Sequence, residues 1–471
     1  MVDVLLVNPP SPDGSVIIRD LNRSGRTSKE RIIWPQVNLA YLAAVIDNKF
    51  SVEIVDCIAE NMNWQEFEGY LIKKKPRYLL SHVITSLERN DMKTFDIAKK
   101  ALDNCVTMAV GPHVTELSKE VLKNYPSLDF AIRGEAEITF VELLDKLEKG
   151  KKLDDVKGIA YRDNGTIKIN VDRPFIQNLD DLPLPRYDLL PLNKYVYPFI
   201  ASNFTFVVTS RGCPYPCTFC RQPIMWKGKV RSRSVDGVIK ELKLLKSIGV
   251  NNFLVHSDTF TVEKKFVLDL CKRMIDEKLN MEWGCNSRVD TVDQEMLKWM
   301  KRAGCWMIAY GIESGSQQIL DNVKKGATVD QARNVVIWTN DVGIKVYGYF
   351  IIGLPGETLE TINETIALAK ELPITFALFH VGSPYPGTEF YKEAKEKGWL
   401  NFTKWEDVDQ GHSTPVVYPN LSSDDILNGI KKAHVAFYLR PRAIINVLRN
   451  VKNFKDLKHL LRLAIGILNW R

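Results

Sequence analysis

Short runs of apolar residues alternate with amphipathic segments along most of this chain. In the first 150 residues the apolar runs predict strands at 4–7, 52–55, 78–84, 107–110 and 130–133. Apolar residues at helical spacing predict helices at 37–47, 95–101, 114–125 and 137–147. Strands that alternate with helices predict an α/β domain with a doubly wound, Rossmann-like parallel sheet. Such a sheet binds ligands at the carboxyl ends of its strands.

A second alternating series begins near residue 204. Its apolar runs predict strands at 204–210, 252–256, 281–285, 306–311, 345–352 and 374–380. Its amphipathic segments predict helices near 234–248, 263–277, 293–303, 329–342 and 358–371. Six such units predict a partial (β/α)6 barrel of the TIM type, whose active site lies at the carboxyl ends of the strands.

The pattern therefore predicts four parts along the chain. They are an N-terminal Rossmann-like domain at 1–148, a linker at 149–200, a barrel at 201–400 and a C-terminal extension at 401–471. The linker contains a predicted hairpin, followed by the proline-rich run Leu182-Pro183-Leu184-Pro185-Arg186, which favours an extended crossing between domains. The extension is basic and largely helical, with amphipathic helices predicted at 441–450 and 454–470.

Charge is concentrated in the extension. From residue 427 to 471 there are ten Lys or Arg residues against one acid, a net charge of +9, whereas the whole chain carries +7. A basic amphipathic helix suits an anionic membrane surface or an acidic, lipid-like substrate. The alternative is a helix that caps the barrel and keeps its charges in water.

The bulk composition excludes several classes of protein. With 45% hydrophobic and 26% charged residues, the chain of 471 residues is expected to be globular. Its first ten residues read as a strand and a turn rather than a signal peptide, and no run approaches the roughly 20 apolar residues of a transmembrane helix. The eight cysteines are then expected in a reducing compartment, as ligands rather than disulfides. We expect a cytoplasmic protein that reaches a membrane surface, if at all, through its basic C-terminal helices.

Three cysteines within eight residues are the most informative feature of the chain. They are Cys213, Cys217 and Cys220, in the segment R-G-C-P-Y-P-C-T-F-C. Gly212 and two prolines disfavour helix and strand here, so the segment is expected to be a loop. Three thiolates can bind three irons of a cubane cluster and leave the fourth iron without a protein ligand. The alternative of a structural zinc site normally requires a fourth Cys or His ligand, and the next histidine is His256.

The spacing of these cysteines is similar to the Cys-x3-Cys-x2-Cys signature of the radical S-adenosylmethionine (SAM) superfamily. Further segments resemble radical SAM proteins with an N-terminal cobalamin-binding domain. These segments are Gly-Pro-His at 111–113, Arg-Gly-Glu at 133–135, Gly-Ile-Glu-Ser at 311–314 and Pro-Tyr-Pro-Gly-Thr at 384–388. That class includes anaerobic magnesium-protoporphyrin ester cyclase-like enzymes and radical SAM carbon methyltransferases such as the hopanoid methylases.

The resemblance implies a 4Fe–4S cluster on the three cysteines, with SAM chelated by the fourth iron. Reduction would then cleave SAM to methionine and a 5′-deoxyadenosyl radical that abstracts hydrogen from an unactivated carbon. Arg288 suits the carboxylate of SAM, and Asp258 and Glu313 suit its ammonium and ribose groups. The residues expected to bind SAM are Phe219, Asp258, Ser287, Arg288, Glu313, Gly353 and Tyr385.

In the first domain the resemblance implies cobalamin. Small residues and polar donors follow its predicted strands and suit a bulky ligand with amide and phosphate groups. The expected contacts are Asn8, Pro10, Thr85, Ser86, Gly111, His113 and Glu135. The Asp-x-His-x-x-Gly motif that supplies a lower axial histidine in many cobalamin enzymes is absent, so cobalamin is expected to bind without a protein lower ligand. The alternative is a scaffold domain that binds nothing.

The leading hypothesis is a radical SAM enzyme that modifies an unactivated carbon, with cobalamin-dependent methyl transfer to a hydrophobic or lipid-like small molecule as the expected reaction. Electrons would come from a reducing donor such as ferredoxin or flavodoxin. Radical cyclisation or carbon–carbon coupling on the same scaffold is the first alternative. A nucleic-acid methylthiotransferase is disfavoured, because that class carries a three-cysteine N-terminal domain and only Cys57 and Cys105 are present here. The intact cysteine triad also argues against a non-enzymatic binding module.

Overall fold

The structure of the chain, a computed structural model, describes residues 2–20, 25–28, 31–197, 200, 203–410 and 413–441. It divides into two compact units. One contains the described residues up to Val196 together with 404–406, and the other contains the rest of the described residues. From residue 442 onward, the amphipathic helices predicted at 441–450 and 454–470 lie outside the described residues. Within the described ranges no helix is long and apolar enough to cross a membrane.

The first unit is built on one sheet with helices on both faces. Strands β1–β9 are Val4–Asn8, Ile17–Ile18, Arg26–Thr27, Val52–Asp56, Tyr78–His82, Val106–Val110, Phe130–Ile132, Ile159–Asp163 and Thr166–Ile169. Helices α1–α5 are Val37–Ile46, Trp64–Lys74, Glu88–Ala101, Pro112–Asn124 and Ala136–Glu148. The sheet has the order β4-β1-β5-β6-β7-β8-β9, and β2 pairs with β3 separately. This confirms the predicted Rossmann-like architecture.

Strands β4, β1, β5, β6 and β7 run parallel, so their carboxyl ends share one edge of the sheet. The chain leaves β1 for β4 on one side and returns to β5 on the other side of β1. The crevice between β1 and β5 is therefore the topological switch point, where doubly wound folds bind ligands. The last residues of these two strands are Asn8 and His82.

Side chains of the central strands alternate between two hydrophobic cores. Leu6 and Leu80 pack on one face with α1 and α5. Val7 and Leu79 pack on the other face with α2, α3 and α4. Because both faces are covered, the strands read in the sequence as continuous apolar runs rather than as an alternating pattern.

Strands β8 and β9 form the hairpin that the sequence pattern places in a linker. In the structure β8 pairs antiparallel with β7 and extends the first sheet. Ile159 and Tyr161 join the core on the α1 and α5 face. An isolated hairpin is marginally stable in water, and pairing with the edge of a larger sheet supplies the missing packing. The domain limits at 148, 200 and 400 stay predictions.

The second unit contains a six-stranded parallel sheet. Strands β10–β17 are Phe204–Val207, Ser210–Arg211, Arg231–Ser232, Asn252–Val255, Glu282–Arg288, Cys305–Glu313, Lys345–Ile352 and Phe376–Val381. Helices α6–α14 are Gln222–Trp226, Val235–Ser247, Lys264–Asp276, Gln294–Arg302, Gln317–Asn322, Val329–Asp341, Leu359–Glu371, Glu389–Glu396 and Ser423–Tyr438. The sheet order β10-β13-β14-β15-β16-β17 follows the chain, and in the described part of the chain β10 and β17 remain edge strands. The barrel is therefore partial, as predicted.

Two strands of the barrel are longer than the apolar pattern predicts. Strand β14 continues to Arg288 and β15 to Glu313, and Arg288 pairs in register with Gly311. The apolar pattern ends both strands early because polar residues at a strand end resemble loop residues in a sequence. In the structure Ser287, Arg288 and Glu313 are bonded to buried groups and lie within the strands.

Helices α2 and α14 are absent from the predicted elements. Both begin with a capping box, Asn63 with Glu66 in α2 and Ser422 with Asp425 in α14. Apolar residues at helical spacing follow each cap and are buried in the structure. The sequence therefore carried the signal for both helices, in the combination of a cap and a periodic apolar face.

Candidate functional site

The cysteine loop connects β11 to α6, and Gly212 sets its first turn. Gly212 has a φ of 101°, and a Cβ atom at this position would lie 1.8 Å from the carbonyl oxygen of Lys229. Only glycine fits such a position without moving the backbone. The Gly212 N–H donates to the carboxylate of Asp258 at 2.7 Å, just beyond the end of β13. Asp258, which is expected to contact SAM, therefore fixes the start of the cysteine loop.

Hydrogen bonds from three further elements fix the rest of the loop. The Thr218 N–H donates to the carbonyl of Val323, and the Phe390 N–H donates to the carbonyl of Thr218, both at 3.0 Å. The hydroxyl of Thr259 donates to Sγ of Cys213, also at 3.0 Å. An irregular loop needs such external partners for its backbone groups, and they make the positions of the cysteines specific.

A buried guanidinium lies beside Cys217. Nη1 of Arg288 is 3.7 Å from Sγ of Cys217, and its Cζ lies 3.5 Å from the centre of the Tyr215 ring. The same guanidinium donates to both carboxylate oxygens of Asp290 at 2.8 Å and to the carbonyl of Lys325 at 2.5 Å. Most of the donors of Arg288 are thus occupied by protein groups, and the side chain orders the loop around Cys217.

A buried ion pair completes this region of the barrel. Nζ of Lys325 lies 2.7 Å from a carboxylate oxygen of Glu313, and both side chains are at least nine-tenths buried. Burial lowers the pKa of Lys325, but the charges of Glu313 and of a Cys217 thiolate outweigh it, so the pKa is raised and the side chain is a cation. A Cβ atom on Gly311 would lie 2.4 Å from the Glu313 carboxylate, so glycine makes room for the pair.

In the first unit, the carboxyl edge of the sheet carries a buried polar network. The guanidinium of Arg19 forms an ion pair with Asp91 at 2.7 Å, and neither side chain is exposed. Arg19 also donates to Asn8, whose amide donates to Asp56 at 2.6 Å. Burial raises the pKa of Asp56 to about 6, against the lowering effect of its hydrogen bonds. The network holds the loop after β1 in place beside the switch-point crevice.

Comparison with known proteins identifies both units. Residues 207–369 match the radical SAM superfamily, and residues 28–144 match the B12 binding domain. An uncharacterized methyltransferase of Pyrococcus horikoshii is 35% identical over 450 residues, which cover 94% of this chain and 94% of the relative. This chain belongs to the cobalamin-binding radical SAM family.

Other similar proteins agree with this family. The anaerobic magnesium-protoporphyrin IX monomethyl ester cyclase of Rubrivivax gelatinosus is 28% identical, over 86% of this chain and 74% of the relative. The fold matches that of TsrM from Kitasatospora setae, a radical SAM methyltransferase solved with cobalamin and a 4Fe–4S cluster. That match has a TM-score of 0.71 and 14% identity, and covers 98% of each chain. The family's cofactors are a 4Fe–4S cluster, SAM and cobalamin.

The chemistry of the thiols in the cysteine loop is compatible with a bound 4Fe–4S cluster. Burial raises the pKa of Cys217, opposed by Lys325 and Arg288, and burial raises the pKa of Cys220 to about 12. Such thiols ionise at neutral pH only when a metal replaces the lost solvation. Within the described ranges no group of three or more His, Cys, Asp or Glu side chains is placed to hold a single metal ion. Cys213, Cys217 and Cys220 are the residues that would hold the cluster.

The other residues expected to bind SAM are only partly brought together. Phe219 packs on an apolar cluster that includes Val323 and Leu354. Gly353, with a φ of 92°, donates its N–H to Glu357. Ser287 instead bonds the hydroxyl of Thr261 at 2.6 Å.

Tyr385 also lies among protein groups. It is buried, and Cζ of Arg221 lies 5.4 Å from the centre of its ring. The roles of all these residues towards SAM stay predictions.

Two charged residues of the radical SAM unit are buried, which the sequence does not indicate. Lys325 belongs to Lys324-Lys325-Gly326, which looks like a solvated charge run. Glu357 is buried, which raises its pKa to about 8, and its carboxyl group accepts the N–H groups of Gly353 and Leu354. The ion pair with Glu313 distinguishes Lys325 from a surface charge, and burial beside its own loop distinguishes Glu357.

The residues expected to contact cobalamin lie at the carboxyl edge, largely bonded to protein groups. Thr85 Oγ1 lies 3.3 Å from Nδ1 of His113, and the ring of His113 meets Trp405 edge-on. The hydroxyl of Ser86 donates to the carbonyl of Gly25 at 3.3 Å. These contacts hold the polar side chains that follow β5 close to the side chain of His113, which follows β6.

The other three expected residues, Gly111, Glu135 and Pro10, each make a contact of their own. A Cβ atom on Gly111, whose φ is 123°, would lie 2.8 Å from the carbonyl oxygen of Val83. Glu135 accepts the N–H of Ile176 at 2.8 Å and so fixes the segment after β9. The carbonyl of Pro10 accepts the side-chain amide of Asn90 at 2.9 Å. Their contact with cobalamin stays a prediction.

His82 makes the stability of the cobalamin unit depend on pH. Burial, with the charge of Arg19, lowers the pKa of this imidazole to about 3, from about 6.5 in an unfolded chain. Below pH 6.5 the unfolded chain takes up a proton that the folded chain refuses, so stability is lost as the pH falls towards 3. Between pH 7.5 and 5.0 we expect a loss of about 2 kcal/mol from this residue.

Urea unfolding of the wild type and of His82→Leu at the two pH values measures this effect. The wild type should lose about 2 kcal/mol more than the variant on acidification. Other groups titrate equally in both proteins and cancel in the difference. Equal losses in the two proteins would show that His82 is accessible to protons in the folded state.

Proposed function

We propose that this protein transfers a methyl group to an unactivated carbon of a hydrophobic small molecule, using SAM and cobalamin. The proposal is carried by one chain that holds both a cysteine loop for a 4Fe–4S cluster and a B12 binding domain. It is supported by a relative named a methyltransferase that matches 94% of each chain. When bound, the cofactors supply a carbon-centred radical, a methyl group and one-electron chemistry.

The Lys325–Glu313 pair suits the amino-acid part of SAM. That part is a zwitterion, with a carboxylate and an ammonium group. A buried cation and a buried anion 2.7 Å apart can exchange their mutual contact for contacts with the two ends of the zwitterion, and no net charge is added. Arg288 remains bonded to Asp290 and keeps the loop ordered around Cys217.

The inner face of the barrel suits an apolar or aromatic substrate. Phe350 and Phe379 stack on each other, and Phe379 packs on His434 of α14, so alternate residues of β16 and β17 face the opposite side. Tyr349 and His380 lie on that inner side, with ring centres 6.3 Å apart, and both are partly exposed. Aromatic walls with a few polar atoms are typical of sites for small organic ligands.

Incubation with deuteromethyl-SAM, cobalamin and a low-potential reductant tests the proposal. The protein is purified without oxygen, its cluster is reconstituted, and a small-molecule extract of the source cells is added. A product heavier than its precursor by CD3 in place of H supports methyl transfer, because one hydrogen leaves the carbon and one methyl group replaces it. Failure of the purified protein to bind cobalamin would sink this part of the proposal.

Radical cyclisation is the second candidate, and the cyclase of Rubrivivax gelatinosus, 28% identical over 86% of this chain, favours it. A product lighter than its precursor by hydrogen atoms, with no label from SAM, would support it. We propose ferredoxin or flavodoxin as the electron donor for either reaction. Contact of the basic segment from residue 427 with a membrane surface, and a cytoplasmic location, stay predictions.

A further inference from the structure

A basic turn, Lys227-Gly228-Lys229, follows α6 and contacts the start of the cysteine loop. The chain bends sharply here, because Lys227 and Gly228 both have a positive φ, of 51° and 70°. A Cβ atom on Gly212 would lie 1.8 Å from the carbonyl oxygen of Lys229, so the two backbones are in direct contact. Cys213 comes next in the chain, so the basic turn touches the residue beside the first candidate cluster ligand.

Hydrogen bonds on both sides hold the basic turn in place. The Lys229 N–H donates to the carbonyl of Trp226 at 3.0 Å, and Trp226 is buried. On the other side Arg231 pairs in register with Arg211, so β12 is fixed against the strand that leads into the cysteine loop. A surface with a fixed backbone loses little conformational entropy when a partner binds, which favours docking.

The basic turn adds positive charge to the surface beside the cysteine loop. The side chains of Lys227 and Lys229 are exposed. Lys324, in a second segment that contacts the loop, is paired with Glu389. Lys229, by contrast, forms no ion pair with any residue that the structure describes. Its charge is therefore available to an acidic partner.

The cysteine loop itself presents an uncharged, exposed surface. Pro214 and Pro216 are exposed, and Tyr215 between them is half-buried against a guanidinium. Exposed apolar residues with charges at their rim are typical of protein interfaces. Pro214 follows Cys213 and Pro216 precedes Cys217, so a partner on the two prolines would lie one residue from two candidate cluster ligands.

We propose that the basic turn and the two prolines form the docking surface for an acidic one-electron carrier protein of the flavodoxin or ferredoxin type. The inference rests on the radical chemistry of the proposed function, which needs one electron for each SAM that is cleaved. The reduced carrier loses one electron and the cluster on the three cysteines gains it, and no bond forms or breaks in this step. Low-potential carriers of this type are acidic, and opposite charges on two surfaces speed their encounter.

Reduction of the reconstituted protein by flavodoxin hydroquinone tests the proposal. The absorbance of the cluster gives the rate of reduction, and biolayer interferometry with oxidised flavodoxin gives the affinity without turnover. At low ionic strength Lys229→Glu should slow reduction by flavodoxin about 10-fold and weaken binding by a similar factor, because electrostatic steering speeds association by about 10- to 1,000-fold. Both differences should shrink at about 0.5 M salt, which screens exposed charges. Reduction by methyl viologen, a small cation that needs no basic docking surface, should be unchanged.

Lys278→Glu is the matched control. Lys278 is also exposed, in the turn after α8, and the substitution changes the net charge of the chain by the same amount. Helix α8 ends where the chain enters β14, so Lys278 lies at the opposite edge of the barrel sheet from the cysteine loop. This variant should bind flavodoxin, and be reduced by it, like the wild type.

Three results would overturn the proposal. Lost iron in Lys229→Glu, or equal slowing with methyl viologen, would mean that the basic turn positions the cysteines rather than a partner. Equal effects of Lys229→Glu and Lys278→Glu would reflect the net charge of the chain and not a docking surface. Undiminished binding and reduction in Lys229→Glu would place the carrier elsewhere. A wild type that methyl viologen reduces but that forms no 5′-deoxyadenosine from SAM would instead refute the radical function itself.

Discussion

Cys217→Ala is expected to abolish SAM cleavage and to leave the protein almost without iron. Cys217 is the most buried cysteine of the loop, at 7% exposure, and lies 3.7 Å from the Arg288 guanidinium. Replacing it removes one of the three expected cluster ligands, together with the sulfur that lies beside the Arg288 guanidinium. The variant should hold less than about one iron per chain after anaerobic reconstitution, against about four in the wild type.

Cys271→Ala is the matched control for the iron measurement. Cys271 lies in α8 of the same unit, is fully buried, and burial raises the pKa of its thiol beyond any role as a free nucleophile. This variant should keep the full iron content and the absorbance of the cluster. Iron content and 5′-deoxyadenosine production are measured in all three proteins. Normal iron in Cys217→Ala would show that the cluster is held by other residues.

Lys325→Met should weaken SAM binding by about 100-fold while leaving the iron content unchanged. The substitution keeps much of the side-chain volume but removes the cation that pairs with Glu313 at 2.7 Å. A hydrogen bond between charged groups contributes up to about 3 kcal/mol, which corresponds to about 100-fold in affinity. With the cation lost, the carboxylate of SAM has no partner and Glu313 repels it.

Variants and a truncated ligand separate this role from a structural one. Lys325→Arg should bind SAM within about 10-fold of the wild type, because the charge is retained. 5′-Methylthioadenosine, which lacks the amino-acid part of SAM, should bind to Lys325→Met as it does to the wild type. Affinities are measured by equilibrium dialysis on the reconstituted proteins. Equal weakening for SAM and for methylthioadenosine would mean that Lys325 supports the barrel rather than the ligand.

Patterns confined to a few neighbouring residues made much of this protein predictable from sequence. The alternation of apolar runs and amphipathic helices identified both α/β units, because each strand and helix carries its own periodicity. Cys213, Cys217 and Cys220 were recognisable as candidate ligands because all three lie within one run of eight residues. Capping boxes would have revealed α2 and α14 by the same local reasoning.

The partners of individual side chains decided the rest. Arg288 suits a carboxylate ligand by its chemistry, but Asp290 and the Lys325 carbonyl occupy its donors. Lys325 looks like a surface charge until Glu313 is found beside it in the barrel.

His82 reads as one more polar residue after a strand, and only the strand order places it beside Asn8 at the switch point. Local spacing in the sequence was enough to predict most of the strands and helices, the three candidate cluster ligands and the family resemblance. Tertiary structure alone decided which charges are buried and paired, because burial and charge pairing depend on neighbours that the chain order does not specify.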